Sequence, residues 1–172
     1  MPFKVDEFVV HPTHGVGHIV RLEEKRFFGE ESCLYYEVAT QNSIVWVPVE
    51  ADKAVGLRQL TAKYDLARYR SLLKSRPTPL NQDHRKRHLE LGDRLKQGSF
   101  QAVCEVVRDL TAHGWRKPLS EGGAALLRQI RENLCREWAA SDGVSLAEAI
   151  QEVESLLLEA RQAHMSEELK SI

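Results

Sequence analysis

Hydrophobic residues in the first sixty positions come in short alternating runs of β-branched and aromatic side chains. Turn residues, chiefly Gly, Pro, Asn and Ser, separate one run from the next. The alternation predicts strands within residues 7–17, 16–28, 33–38 and 44–49. Pro48 near the end of the fourth run is typical of an edge strand, because proline cannot donate to a ladder. Four or five short strands in this length predict a small SH3- or Tudor-like β-barrel.

From Thr61 onward the apolar residues recur every three or four positions, which is the period of amphipathic helices. The pattern predicts five helices, at about residues 64–74, 83–97, 100–113, 120–140 and 145–163. Ser99 and Ser145 stand where N-caps belong, and short connections make the set a compact helical bundle. We therefore predict an α+β fold of two domains, with the barrel in residues 1–60, the helical domain in 61–165 and a tail in 166–172.

Charge is distributed unevenly along a chain whose formal net charge is −1. Residues 61–120 hold thirteen Lys and Arg against six Asp and Glu, whereas the segments on either side are net acidic. The densest basic block is His84-Arg85-Lys86-Arg87-His88, which follows a Pro-rich turn and begins a helical pattern. Such a block suits either a phosphate backbone or plain solvation, and the residues alone favour neither.

Composition indicates a globular protein without a membrane or secretory segment. Hydrophobic residues make up 42% and charged residues 28% of the chain, which excludes a disordered or fibrous protein. Apolar runs are too short to cross a bilayer, and the first ten residues lack a basic leader. Three widely spaced cysteines, odd in number, fit a reducing compartment. We therefore predict a cytoplasmic protein.

Catalytic and metal-binding signatures are weak. The chain holds no P-loop, G-x-S-x-G, dinucleotide-binding or H-E-x-x-H motif. His11, His14, His18 and Cys33 lack zinc-site spacing and are interpreted as barrel residues. His84 and His88 at i, i+4 offer two ligands on one helix face, without an evident third. The two cysteines of the helical half lie in apolar stripes, where thiols are inert. We expect no enzyme activity, no cofactor and no bound metal.

Several short motifs stand out in both halves of the chain. In the first domain these are V-V-H-P at 9–12, H-G-V-G at 14–17, Y-Y at 35–36, W-V-P-V at 46–49 and V-G-L-R at 55–58. Their joint occurrence resembles the amino-terminal module of the CarD/CdnL family of bacterial transcription factors, which is similar to a module of the transcription-repair coupling factor. The order E-V-V-R-D-L, L-S-E and a long Leu-rich helix resembles the family's carboxy-terminal domain. The resemblance covers about residues 1–160.

For the barrel, the resemblance implies docking on the β subunit of RNA polymerase, largely by pairing of a strand edge. The positions that match the family's contact region are Lys25 and Phe27 after the second strand, with Val45 and Trp46 on the fourth. Trp46 stands where many relatives carry arginine. Two interpretations of Trp46 remain open, an interfacial anchor and a residue of the barrel core.

For the helical domain, the resemblance implies contact with promoter DNA at the upstream edge of the transcription bubble, through phosphates and the minor groove. The positions it assigns to DNA are His84, Arg85, Lys86, Arg87 and Arg94. His84 stands where the family has a tryptophan that wedges against the minor groove. Three interpretations of His84 remain open: a reduced wedge or phosphate contact, a solvated surface residue, and a metal ligand.

The resulting hypothesis is a transcription regulator that binds the RNA polymerase β subunit, contacts upstream promoter DNA and stabilises the open promoter complex. It would act in the cytoplasm, associated with the nucleoid through polymerase. The alternative is a protein–protein adaptor on RNA polymerase that does not bind DNA. The sequence leaves open whether the chain forms a dimer.

Overall fold

The computed structural model describes residues 3–26, 28–29, 31–50 and 57–171. The chain divides into two compact units, unit 1 in residues 1–60 and unit 2 in residues 61–172. Unit 1 is built on a β-sheet and unit 2 is helical, so the α+β class predicted from the sequence is confirmed. Within the described ranges, no helix combines the length and the apolar content that crossing a membrane requires.

Unit 1 is an antiparallel sheet with five strands in its described residues. They are β1 Phe8–His11, β2 Gly15–Lys25, β3 Cys33–Thr40, β4 Ile44–Pro48 and β5 Arg58–Gln59. The strand order is β4-β3-β2-β1-β5. No ladder joins β4 to β5 in the part of unit 1 that the structure describes, so these residues form an open sheet and not the closed barrel predicted. The edge position that Pro48 indicated for its strand is confirmed.

The core of unit 1 lies on the inward face of the sheet. Val9, Ile19 and Val38 are fully buried there, and Phe3 packs edge-to-face on Tyr36 with ring centroids 5.7 Å apart. Burying side chains of this size contributes about 1.5–3 kcal/mol each. The alternation of the strands therefore fixes which face is buried and leaves the opposite face for contacts.

Unit 2 begins with a 3₁₀ turn at Lys63–Asp65. Its helices in the described residues are α1 Leu66–Lys74, α2 His84–Lys96, α3 Phe100–His113, α4 Glu121–Asp142 and α5 Leu146–Lys170. Side chains of Asp83, Ser99, Ser120 and Ser145 accept hydrogen bonds from the first turns of α2 to α5. The N-caps predicted at Ser99 and Ser145 are confirmed. Capping satisfies backbone donors that the helix itself cannot pair.

The last helix is longer than predicted. The sequence pattern indicated an end near Ala163 and a tail beyond it, but α5 continues to Lys170. No glycine or proline interrupts this stretch, and Glu168 pairs with Arg116 and with His164. The final turns therefore hold charged contacts instead of an apolar stripe, which is why hydrophobic periodicity missed them.

The apolar faces of the helices meet in one cluster. Trp138 of α4 is fully buried at its centre, with Leu66 and Leu73 of α1 also wholly enclosed. Phe100 packs edge-to-face on Tyr69, with ring centroids 4.9 Å apart. Only Leu91 of α2 is buried among the residues of that helix. Helix α2 is therefore attached to the bundle by few apolar contacts and depends on polar ones.

Candidate functional site

Unit 1 presents Lys25 and Trp46 together on the outer face of its sheet. Trp46 lies on β4 and is 38% exposed, while Lys25 Nζ lies 3.9 Å from the centroid of its ring. This distance is that of a cation–π interaction. Trp46 lies outside the hydrophobic cluster that the described residues of unit 1 form. Its side chain therefore belongs to the surface and not to the core.

The other two predicted docking residues differ from this pair. Val45 packs against the core cluster. Neighbouring residues of a strand point to opposite faces, so Val45 points inward where Trp46 points outward. Phe27 lies outside the described residues. In the described part of the sheet β4 pairs on one side only, with β3. An edge strand offers backbone N–H and C=O groups to a partner strand, so we expect Val45 to contribute to a contact through its backbone.

The first turn of α2 carries two exposed cations that have no acidic partner. The carboxylate of Asp83 caps this turn by accepting the backbone N–H of Lys86 at 3.0 Å. The side chains of Arg85 and Lys86 are exposed, and neither makes an ion pair with any described residue. His84 beside them is also exposed. The turn therefore presents two positive charges that the fold does not neutralise.

Arg87 and Arg94 have partners within unit 2. Arg87 Nη1 donates to the carbonyl oxygens of Asn81 at 3.0 Å and Gln82 at 3.3 Å, and its Nη2 lies 3.3 Å from Nδ1 of His84. Arg94 Nη2 lies 2.8 Å from a carboxylate oxygen of α3. The contact of these two arginines with DNA stays a prediction, but their geometry favours holding α2 and its preceding loop in place.

The carboxylate that Arg94 reaches is Asp109, which is 1% exposed. Its Oδ2 accepts Arg94 Nη2 at 2.8 Å, and its Oδ1 accepts Arg108 Nε at 2.8 Å and the backbone N–H of Thr78 at 2.9 Å. Arg108 Nη1 also donates to Ser75 Oγ at 2.9 Å. We call these five residues the Asp109 cluster. It ties α2, α3 and the segment before α2 together, and so positions the cationic turn.

Sequence reasoning missed a basic cleft at the end of α3. The cleft has a volume of about 770 Å³, and its basic residues are contributed by the segment before α2, the end of α3, the loop after it and α5. These residues are Arg76, His113, Arg116, Lys117 and His164. They are far apart in the chain, so neither spacing nor periodicity brings them together. The only sequence signal was the surplus of basic residues in positions 61–120.

The electrostatic environment of the cleft is positive at His113. Burial lowers the pKa of this imidazole first, and the nearby charges of Arg87 and Lys117 lower it further. A cation is disfavoured where other cations are already close and water is partly excluded. The protonated form of His113 is therefore disfavoured by burial first and by its two cationic neighbours second.

The side chain of His11 in unit 1 binds the backbone of the turn that follows it. His11 Nδ1 accepts the N–H groups of Thr13 at 3.0 Å and His14 at 3.2 Å, so this nitrogen is occupied. Burial, followed by the neighbouring His14, lowers the pKa of His11. In the residues that the structure describes, no three His, Cys, Asp or Glu side chains are grouped to hold a metal ion. The turn is therefore stabilised by a neutral imidazole.

Both units match domain families. Residues 3–61 match the family described as CarD-like/TRCF RID domain, and residues 69–154, half of the chain, match the one described as CarD, C-terminal domain. A protein of Bacillus subtilis (strain 168) named "Putative transcription factor YdeB" is 27% identical over 145 residues, which are 83% of this chain and 94% of that protein. The resemblance carried by the sequence motifs is thereby confirmed, and the chain belongs to the CarD family.

Proposed function

We propose that the protein is a non-enzymatic transcription regulator that uses its two units on two partners. Unit 1 binds the β subunit of RNA polymerase through the edge of β4, with Lys25 and Trp46 as side-chain contacts. Unit 2 contacts promoter DNA upstream of the transcription bubble and stabilises the open complex. Membership of the CarD family, and the RID description of the match to unit 1, support the polymerase contact.

The observation that carries the DNA contact is the pair of cations at the start of α2 that make no ion pair with any residue the structure describes. The positive end of the helix dipole lies at the N-terminus, so Arg85 and Lys86 destabilise the helix there by about 0.3–1 kcal/mol each. Asp83 caps the turn through the backbone N–H of Lys86, but no described acidic side chain makes an ion pair with either cation. An external anion would offset it, and the phosphate backbone of DNA supplies a row of them.

The contact is expected to be weak and independent of base sequence. Arg85 and Lys86 would contact phosphates, which carry no sequence information. The whole chain has a formal charge of −1, so it does not attract free DNA strongly. Attachment to polymerase compensates, because it raises the local concentration of the cationic turn near the promoter. His84 at the position of the family's wedge tryptophan offers less apolar area, so we expect little unstacking of bases.

A charge-reversal experiment tests the DNA contact. In the R85E/K86E variant we expect the open-complex lifetime on a promoter to fall roughly tenfold, as two lost phosphate contacts would predict. Pull-down of core RNA polymerase should be unchanged. Arg87 is left intact because its bonds to the loop would confound the result. The matched control is R128E/R161E, which changes the net charge equally at two exposed cations without acidic partners among the described residues.

Two outcomes would contradict the DNA contact. One is an equal loss of lifetime in R128E/R161E, which would show a general charge effect. The other is an unchanged lifetime in R85E/K86E. A salt series adds a second measure, since the logarithmic salt dependence should become shallower by about two when two phosphate contacts are removed.

A separate pair of variants tests the polymerase contact. Replacing an aromatic anchor at an interface costs about 2 kcal/mol or more, so W46A should lose most of the polymerase captured by the wild type. F8A is the control, because Phe8 is 52% exposed on β1 and lies away from the β4 edge in the strand order. Equal capture by wild type and W46A would refute the role of Trp46.

A protein–protein adaptor that does not bind DNA is the second candidate function. Leu158, Met165 and Leu169 of α5 are all more than half exposed, and their spacing of seven and four places them on one helix face. An exposed apolar stripe favours a protein partner. For an adaptor, R85E/K86E leaves promoter lifetimes unchanged, while L158K/M165K weakens complexes with polymerase-associated proteins.

A further inference from the structure

The basic cleft of unit 2 has an unusual balance of charge. Arg76 and Lys117 both line it, and neither pairs with an acidic side chain in the described chain. The one carboxylate lining the cleft, Asp109, already accepts from two arginines and a backbone N–H. Asp109 therefore does not neutralise Arg76 or Lys117. The described lining of the cleft carries a surplus of positive charge, which attracts anions.

Several other cations of unit 2 have acidic partners. Arg70 pairs with Asp142 and Glu152, and Arg116 on the rim of the cleft pairs with Glu168. Most buried or half-buried cations of the bundle are compensated in this way. Arg76 and Lys117 are exposed cations without an acidic partner among the described residues, and both line this cleft. Burial lowers the pKa of His113 in the same lining, and the charges of Arg87 and Lys117 lower it further.

The shape of the cleft restricts what it can hold. Its volume of about 770 Å³ falls in the usual range for small-molecule sites, roughly 300–1,000 Å³. Pro77, Pro79 and Ala112 provide rigid apolar wall beside the cations. A duplex presents its phosphates on a convex surface, whereas an apolar recess with a cationic rim suits a molecule that carries phosphate on one end and an apolar or planar group on the other.

We propose that this cleft binds a small phosphorylated molecule with nucleotide-like chemistry, its phosphates held between Arg76 and Lys117 and its planar group against the proline wall. The site is distinct from the cationic turn at Arg85 and Lys86 and does not rest on the proposed DNA contact. Arg116 stays paired with Glu168 at the rim of the cleft and is not proposed to bind the phosphates.

Proton linkage gives the site a signature. A bound phosphate offsets the repulsion that Arg87 and Lys117 exert on His113, so binding favours the protonated imidazole and tightens as the pH falls. The charged groups facing this region from the packed elements are Arg76, Arg87, Arg94, Arg108, Asp109, Arg116, Lys117, His164 and Glu168. The H113N variant tests whether this dependence comes from His113.

Trp115 provides a readout beside the cleft. Its ring centroid lies 5.2 Å from that of His164, which lines the cleft. In a W46F background of the full chain the remaining tryptophans are Trp115 and the fully buried Trp138. Titration with ATP, GTP, inorganic pyrophosphate or adenosine, excited at the red edge of tryptophan absorption and repeated by calorimetry, then reports on the cleft.

We expect ATP or GTP to bind with a dissociation constant of roughly 1 mM or tighter. Binding should weaken about tenfold or more in R76A/K117A, because each lost charge-assisted hydrogen bond is costly. R128A/R161A, the matched loss of two cations elsewhere, and R85E/K86E should bind like wild type. Both cleft residues are exposed on the surface, so an unchanged unfolding midpoint in R76A/K117A shows that the fold is intact.

Each other outcome overturns the proposal. Absence of saturable binding, or equal weakening in R128A/R161A, removes the site. If pyrophosphate binds as tightly as ATP, the planar group contributes nothing to binding and that part of the proposal is wrong. A short promoter duplex that binds more weakly to R76A/K117A, in the absence of any nucleotide effect, reassigns these cations to DNA. An effect of pH that persists unchanged in H113N removes the proton linkage.

Discussion

Asp109 should be the most sensitive polar residue of unit 2, and the isosteric change D109N tests this. The substitution keeps the volume but removes the charge that Arg94 and Arg108 face. The side chain of Asp109 is fully buried, whereas those of Arg94 and Arg108 are 26% and 13% exposed. Removing one partner of a buried ion pair costs about 3–5 kcal/mol. The partial exposure of the arginines lowers our expectation to about 2–4 kcal/mol.

The matched control is D93N, the same chemical change on α2. Asp93 and its partner Lys96 are 77% and 83% exposed, and their closest charged atoms are 3.9 Å apart. Exposed pairs of this kind contribute little, so D93N should change the free energy of unfolding by less than about 0.5 kcal/mol. Both variants replace a carboxylate by an amide, so a difference between them reports the burial of the aspartate and not the chemistry of the substitution.

Urea unfolding, followed by tryptophan fluorescence in a W46F background, measures the stability of D109N and of D93N. Trp115 and Trp138 then report on unit 2 alone. With a urea dependence of about 2 kcal/mol/M, D109N should lower the midpoint by about 1–2 M. In a double-mutant cycle, R94Q should cost at least about 1 kcal/mol less in the D109N background than in wild type.

A D109N midpoint within the range of D93N would refute the reasoning. It would mean that Arg94 and Arg108 are solvated as well without Asp109 as with it, and that the Asp109 cluster does not hold α2. Additive effects of R94Q and D109N would refute the coupling separately. Because α2 buries only Leu91 among its own residues, loss of this cluster should also loosen the turn that carries the proposed DNA contact.

Three further predictions concern single residues. Unit 1 should lose stability as the pH falls below about 6.5, since the lowered pKa of His11 lets the unfolded chain bind the proton first, and H11N should flatten this dependence in a pH series of unfolding midpoints. G17A should destabilise unit 1 by about 1–3 kcal/mol because a Cβ would lie 2.7 Å from a backbone oxygen, whereas G92A on open helix surface should stabilise by about 0.5–1 kcal/mol. Alkylation of the native protein should modify exposed Cys33 first and spare Cys135, whose pKa burial raises to about 11.

Local chemistry made most of the secondary structure predictable. Caps at Ser99 and Ser145 and the apolar stripes of the helices act over a few residues, so the sequence alone contains them. The face of Trp46 was not predictable in this way. Strand β4 reads Ile-Val-Trp-Val, apolar at every position, and alternation cannot choose a face without a polar residue to mark it. In the structure Val45 and Val47 pack against the core, so Trp46 lies on the opposite face, where it contacts Lys25 of β2.

The function of each cation depends on where the fold places the acidic residues. Arg94 and Lys86 belong to one basic stretch and look equivalent in the sequence, yet Arg94 meets Asp109 while Lys86 meets solvent. A count of the basic residues in one stretch therefore overstates how many cations are available to phosphate, because some of them are paired. The net charge of the chain understates that number, because acidic residues elsewhere cancel it. The DNA contact of Arg94 stays a prediction, but cations without an internal partner are the better candidates for binding an anion, and Arg76 and Lys117 join them. Because an unpaired cation at a helix start or in a concave site carries an electrostatic cost, the positions where unit 2 accepts that cost are where an external anion has most to contribute.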